Sequence, residues 1–240
     1  MLKVELTKNY AWVTIYGDYD DLNTLYDAIV YFIEEEPNNL TKYIMQNHVY
    51  GFLYDVRHAY QGDRESKLVN NNLSDVKRNW HNIKKKDIAK NNLYYSFNYL
   101  LPDLILDMIL MRYFMKNIDN KNIYNPYINI TNYFYSLVLY SFENLLTKVR
   151  FNKVKYEIMN SSISDKNFIP QWFELISIDY IKMNKKQREK EFMHIIDSIC
   201  NYMNYKDYDD LKKEIEEECK IKNCNIDNLY YEYDINEIEW

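Results

Sequence analysis

The sequence predicts a mainly helical α+β domain, and three observations carry that expectation. Glycine and proline number three and four in 240 residues, whereas sandwiches and barrels need turn residues throughout. Alternation of apolar and polar side chains is concentrated at the two ends of the chain, and between them apolar residues recur mostly at helical spacing. A composition of 47% hydrophobic and 28% charged residues is that of a chain able to bury one core, which at this length is expected to form a single domain, 1–240.

The elements follow in order. "LKVEL" and "AWVTIY" alternate around "TKN" and predict a short antiparallel hairpin over 1–17. The helical body is expected over 18–222. In "DYDDLNTLYDAIVYFIEEE", Leu22, Leu25, Ile29 and Phe32 fall at helical spacing, Asp18 or Asp20 suits the N-cap, and Pro37 closes the helix. A second helix is expected from about Thr41 towards Gly62, with Val49, Leu53, Val56 and Tyr60 along one side. A polar loop is expected near 66–92, with room for a short hairpin, followed by one apolar helix through "LYYSFNYLLPDLILDMILMRYFMKN" in which Pro102 sits near the first turn or at a kink. Two helices are expected around "YINITNYFYSLVLYSFENLLTKV" and "IPQWFELISIDYIKM", the latter starting at Pro170. Two more cover "KKQREKEFMHIIDSICNYM" and "DYDDLKKEIEEECKIK". The remainder, 223–240, reads as an extended tail or an edge strand, a natural addition to the N-terminal hairpin. "DYDDL" occurs at 18–22 and again at 207–211, which predicts two acidic caps built alike rather than a duplicated domain.

Composition narrows the function classes. Net charge of −6 argues against a protein that coats nucleic acid, although Lys77, Arg78, Lys84, Lys85, Lys86 and Lys90 make one basic stretch and Lys182, Lys185, Lys186, Arg188 and Lys190 a second, between acidic ends. The 26 tyrosines accompany abundant asparagine, isoleucine and lysine, as AT-rich codons would produce, so they are not read as stacking platforms. The N-terminus is charged at Lys3, Glu5 and Lys8, and the most apolar run is broken by Pro102, Asp103, Asp107 and Arg112, so neither a signal peptide nor a membrane span is expected. Cys200, Cys219 and Cys224 lack the companions of a zinc site. A cytoplasmic protein without cofactor or metal is the expectation.

The densest chemistry lies in "YDVRHAYQGDRE", residues 54–65. On a helix Gly51, Asp55, His58 and Gly62 share one face, so Asp55 can orient the His58 imidazole as a general base requires. Gly62 suits a left-handed helix end that projects Asp63, Arg64 and Glu65 from a turn, and arginines there suit a phosphate or carboxylate. The catalytic candidates are therefore His58, Asp55, Arg57, Asp63 and Arg64, with His81 of "KRNWHNI" assisting. Tyr60, Gln61, Glu65 and Trp80 are the binding candidates. The architectural alternative stays open: the charges form an ion-pair network that fixes the turn, and the two glycines let helices approach closely. His194 falls in an apolar helical pattern and is expected to be packed, and His48 lies on the second helix but points away from His58. "VTIYGDYDDLNT" places two aspartates after a strand, as magnesium-dependent phosphotransferases do, but the parallel sheet such a site requires is absent from the pattern.

The runs "GDYDDLNTLYDAI", "YGFLYDVRHAYQGDRE", "WHNI", "NLYYSFNYLLPDLI" and "DINEIEW" together resemble a bacterial family of unknown function from low-GC Gram-positive organisms. The resemblance spans nearly the whole chain and implies a bacterial, cytoplasmic, single-domain protein. It supplies no reaction. The preferred expectation is a non-enzymatic binding or regulatory protein with a protein partner, suited to a mobile element or to defence and counter-defence. The alternative is a hydrolase or nuclease on a phosphate-containing substrate with His58 as general base. A nucleic-acid partner is the weaker option and a membrane is not expected; the oligomeric state is left open.

Overall fold

A computed structural model describes residues 1–34, 40–71, 90–117, 124–143, 145–163, 168–226 and 229, with 40–44 described as backbone only. Among the described residues four strands and eight α-helices form a mainly helical α+β fold: β1 (Lys3–Leu6), β2 (Trp12–Gly17), α1 (Tyr19–Glu34), α2 (Leu40–Tyr60), β3 (Glu65–Asn70), β4 (Asn91–Leu100), α3 (Leu101–Asn117), α4 (Pro126–Ser141), α5 (Lys148–Asn160), α6 (Ile169–Lys182), α7 (Lys185–Cys200) and α8 (Lys206–Lys222).

The strands make one antiparallel sheet in the order β1-β2-β4-β3. β1 and β2 are the expected hairpin, and Ile15 of β2 lies opposite Phe97 of β4, with Val13 opposite Tyr99. These four face the helices, while Thr14 and Asn98 pair on the other side, Thr14 Oγ1 donating to Asn98 Oδ1 at 2.7 Å. A sheet covered on one face explains the alternation in the sequence.

α3 is the axis of the core. Leu104, Ile105, Leu106, Met108, Ile109 and Leu110 are all buried, and α1, α2, α5, α6, α7 and the sheet pack around it. A helix apolar on every side must be enclosed in this way. Polar contacts tie the hairpin to the bundle. Arg188 of α7 is 1% exposed and donates through Nε to Tyr180 O, through Nη1 to Asn9 O and through Nη2 to Ile181 O, at 3.2, 3.2 and 2.8 Å. It thereby supplies donors to the last carbonyls of α6, where a helix end runs short of them; Tyr180 O also accepts from Met183 N at 3.2 Å. Tyr180 Oη donates to Tyr10 O at 2.6 Å beside it.

Several expectations are corrected. The run beginning at Leu93 is not one helix: it is strand to Leu100 and helix from Leu101. Its first part carries the strand-forming set Tyr94, Tyr95, Phe97 and Tyr99, and Pro102 then restricts Leu101 and sits in the first turn of α3, where its missing N–H costs nothing. The polar region 66–92 contains β3 and the start of β4, while 72–89 lies outside the described residues. The helix at 127–149 ends at Ser141, and α5 follows as a separate, unanticipated helix capped by Thr147. The two "DYDDL" copies are not built alike. Asp18 caps α1, its Oδ1 accepting from Asp21 N at 3.0 Å while Asp18 N donates to Asp21 Oδ2 at 3.1 Å. In the second copy Tyr205 occupies the cap and its side chain makes no capping hydrogen bond, Asp207 lies inside the first turn, and Tyr208 is buried where its counterpart Tyr19 is 51% exposed. Pro37 and most of the tail lie outside the described residues.

Candidate functional site

α2 ends at Tyr60 because Gly62 adopts φ +89°, the left-handed conformation that releases the chain into the turn before β3. Gly62 N donates to Ala59 O at 3.0 Å and Asp63 N to His58 O at 2.9 Å, which folds Asp63 back over the last turn. His58 Nδ1 then lies 3.0 Å from Asp63 Oδ2, and Arg64 Nη2 donates to Asp55 Oδ1 at 2.7 Å. Asp63, rather than Asp55, is thus the carboxylate beside the imidazole. The helical spacing that put Asp55 and His58 on one face is correct, but the turn brings a nearer partner to each.

The cluster is open to solvent, with side-chain exposures of 23% for His58, 27% for Asp55, 40% for Arg64 and 58% for Asp63. Tyr54 stacks obliquely on His58 with ring centroids 4.1 Å apart, and the Arg57 guanidinium lies 5.7 Å from the Tyr54 ring. Tyr60 turns away and packs edge-on against Tyr19 and Tyr26 at 5.4 and 6.1 Å, while Gln61 and Glu65 are exposed. His81 and Trp80 lie outside the described residues. Gly51 does not serve a close helix approach, since a Cβ placed there meets nothing within 4 Å. Two cavities of about 530 and 520 Å³ lie elsewhere, one beside β1 and α4 and the other beside α6 and α8. Among the described residues no group of three or more His, Cys, Asp or Glu side chains is placed to hold a metal ion, and no described helix is long and apolar enough to cross a membrane.

A second polar cluster, not anticipated from the sequence, sits inside the fold. Asp107 of α3 is fully buried; His48 Nδ1 of α2 lies 2.8 Å from its Oδ1, and Tyr99 of β4 donates to its Oδ2 at 2.8 Å. One turn earlier Asp103 accepts from Ser177 Oγ of α6 at 2.5 Å. Burial alone would lower the His48 pKa, but the charge and hydrogen bond of Asp107, with Asp103 behind it, raise it to about 9. Burial pushes the carboxyls of Asp103 and Asp107 above the usual range, with His48 opposing. Each shift has the same sense: the folded protein holds protons here more tightly than the unfolded chain. In the sequence Asp103 and Asp107 counted only as interruptions of a membrane span. Two acids four residues apart in an otherwise apolar helix were the usable signal, because buried carboxylates require partners. His194, expected to be packed, is exposed beside Tyr205.

A profile for the family described as a domain of unknown function, DUF6904, matches residues 2–240, and the chain belongs to that family. No curated protein and no solved structure matches it.

Proposed function

We propose that the protein is a non-enzymatic binding protein that engages a protein partner through the last turns of α2, the Gly62 turn and the β3–β4 ribbon. The observation that carries this reading is the mutual pairing of the chemical groups on an open surface. His58 is engaged by Asp63 and Arg64 by Asp55, and the remaining arginine of the stretch, Arg57, lies over Tyr54. Such an arrangement presents a shaped, amphipathic patch more readily than an enclosed acid–base centre, which needs its reactive groups converging on a concavity. Tyrosine and arginine are residues that interface centres favour. Beyond the turn, Leu68 and Leu93 are register partners on β3 and β4, 70% and 45% exposed, and an apolar pair at the surface gains from being covered.

The test is affinity capture from the native host at moderate salt, comparing the tagged protein with a Tyr54→Ala/Arg57→Glu/Arg64→Glu variant. The proposal expects one partner in stoichiometric amount with the wild type and its loss with the variant. A wild-type protein that stays alone, or a variant that captures the same partner, contradicts it. The hydrolase or nuclease alternative makes a different demand: activity lost on His58→Ala with the fold intact.

A further inference from the structure

The cavity of about 520 Å³ beside α6 and α8 has a different chemistry from the α2 turn. Its wall is aromatic and held in place. Trp172 Nε1 donates to Ser198 O at 3.1 Å, the Tyr205 ring lies 6.2 Å from that of Trp172, and Tyr205 Oη donates to Asp197 Oδ2 at 2.5 Å. Its rim is acidic. Asp179, Asp207 and Glu214 line it, are exposed and pair with no cation among the described residues, while Asp210 is engaged by Lys213 at 2.9 Å. A second depression of about 250 Å³ shares Leu211 and Glu214 with the first and continues along α8 to Glu218 and Lys222, which pair with each other at 3.2 Å.

An independent feature points to a ligand here. Gln171 lines the second depression, is 6% exposed, and its Oε1 is a buried acceptor with no hydrogen-bond donor. Leaving such an acceptor unpaired is costly, and rotation of the amide into the depression it lines would let a ligand N–H remove that cost. Unpaired carboxylates, an unpaired amide oxygen and aromatic faces all call for the same complement, a cation or N–H donor on an apolar stem. From Asp207 to Glu218 the helix rises about 16 Å at ~1.5 Å per residue, the length of about five residues of extended chain. We propose that this groove docks an extended lysine- or arginine-bearing segment of a protein partner. Its cation lies between the carboxylates and the Trp172–Tyr205 wall, and an N–H group donates to Gln171 Oε1. The inference is independent of the surface at the α2 turn.

Fluorescence anisotropy with a labelled five-residue peptide alternating lysine and leucine tests it on the full-length protein, with Glu214→Lys, Gln171→Leu and, as an equal charge change at a distant exposed site, Asp20→Lys. The expected result is saturable binding that weakens at least tenfold in Glu214→Lys and little in Asp20→Lys. Gln171→Leu should weaken binding about threefold without lowering the melting temperature, because it removes an unpaired buried acceptor; a merely structural glutamine would lower it. No binding by the wild type, equal losses in Glu214→Lys and Asp20→Lys, or spermine binding as tightly as the peptide would each overturn the proposal.

Discussion

Replacing Asp107 by alanine removes two hydrogen bonds from the middle of the bundle, those with His48 Nδ1 and Tyr99 Oη, each 2.8 Å long. Breaking a buried charge pair by deleting one partner costs about 3–5 kcal/mol. His48 retains 28% side-chain exposure, so water recovers part of its loss, whereas the Tyr99 hydroxyl is left without its acceptor at a cost of about 1–3 kcal/mol. Together these place Asp107→Ala at about 3–5 kcal/mol, or roughly 6–20 °C in melting temperature for a chain of this size. Urea unfolding at pH 7 measures the free energy directly. Tyr99→Phe alone should cost about 1–3 kcal/mol by stripping Asp107 Oδ2 of its donor, and almost nothing more in the Asp107→Ala background, because both changes disrupt the same interaction. A loss below about 1 kcal/mol for Asp107→Ala, or strict additivity of the two variants, would refute the idea that the cluster acts as one unit.

Other outcomes follow from the same geometry. The His48 pKa is raised to about 9 from an ordinary 6.5, so its contribution is full below pH 6.5 and is lost as pH rises through about 9; unfolding curves across that range should show falling stability, with the slope reduced in His48→Gln. Arg188→Ala strips donors from Tyr180, Ile181 and Asn9 carbonyls and should cost at least about 3 kcal/mol by denaturant titration, with early loss of hydrogen-exchange protection in the β1–β2 hairpin. Gly62→Ala forces a side chain to φ +89° and should destabilise by about 1 kcal/mol. By contrast Gly51→Ala, on an open helix face, should stabilise by about 0.5–1 kcal/mol, both glycine variants being read by denaturant titration.

Those elements whose signals are local were legible in the sequence. The hairpin, α1, α2, α6, α7 and α8 follow from alternation, helical spacing and punctuation by Gly17, Gly62 and Pro170. The junction at Leu100 was not, because tyrosine and phenylalanine suit a buried strand as well as a buried helix and periodicity does not separate short apolar runs. The second "DYDDL" shows the limit of reading identical words: in α1 the pentapeptide starts at the cap, whereas in α8 the helix begins earlier and the same tyrosine turns inward. At the α2 turn the sequence placed Asp55 and His58 on one helix face and missed the pairing. Asp55 and His58 do share a face, yet the Gly62 turn delivers Asp63 to the imidazole, and no helical spacing rule contains that turn. The His48–Asp107–Tyr99 cluster joins three elements distant in the chain, so only the buried acids of α3 hinted at it.

The reading of the α2 turn as a partner surface is tested most directly by photocrosslinking in living cells, with a photoreactive amino acid placed at position 54 and, in a separate variant, at position 156. Tyr54 stands beside His58 and Arg57 on the proposed surface, whereas Tyr156 is 70% exposed on α5. A single adduct of defined mass is expected from position 54, absent when Arg57→Glu and Arg64→Glu are combined with it, and none from position 156. No adduct from position 54, or the same adduct from both positions, would contradict that reading.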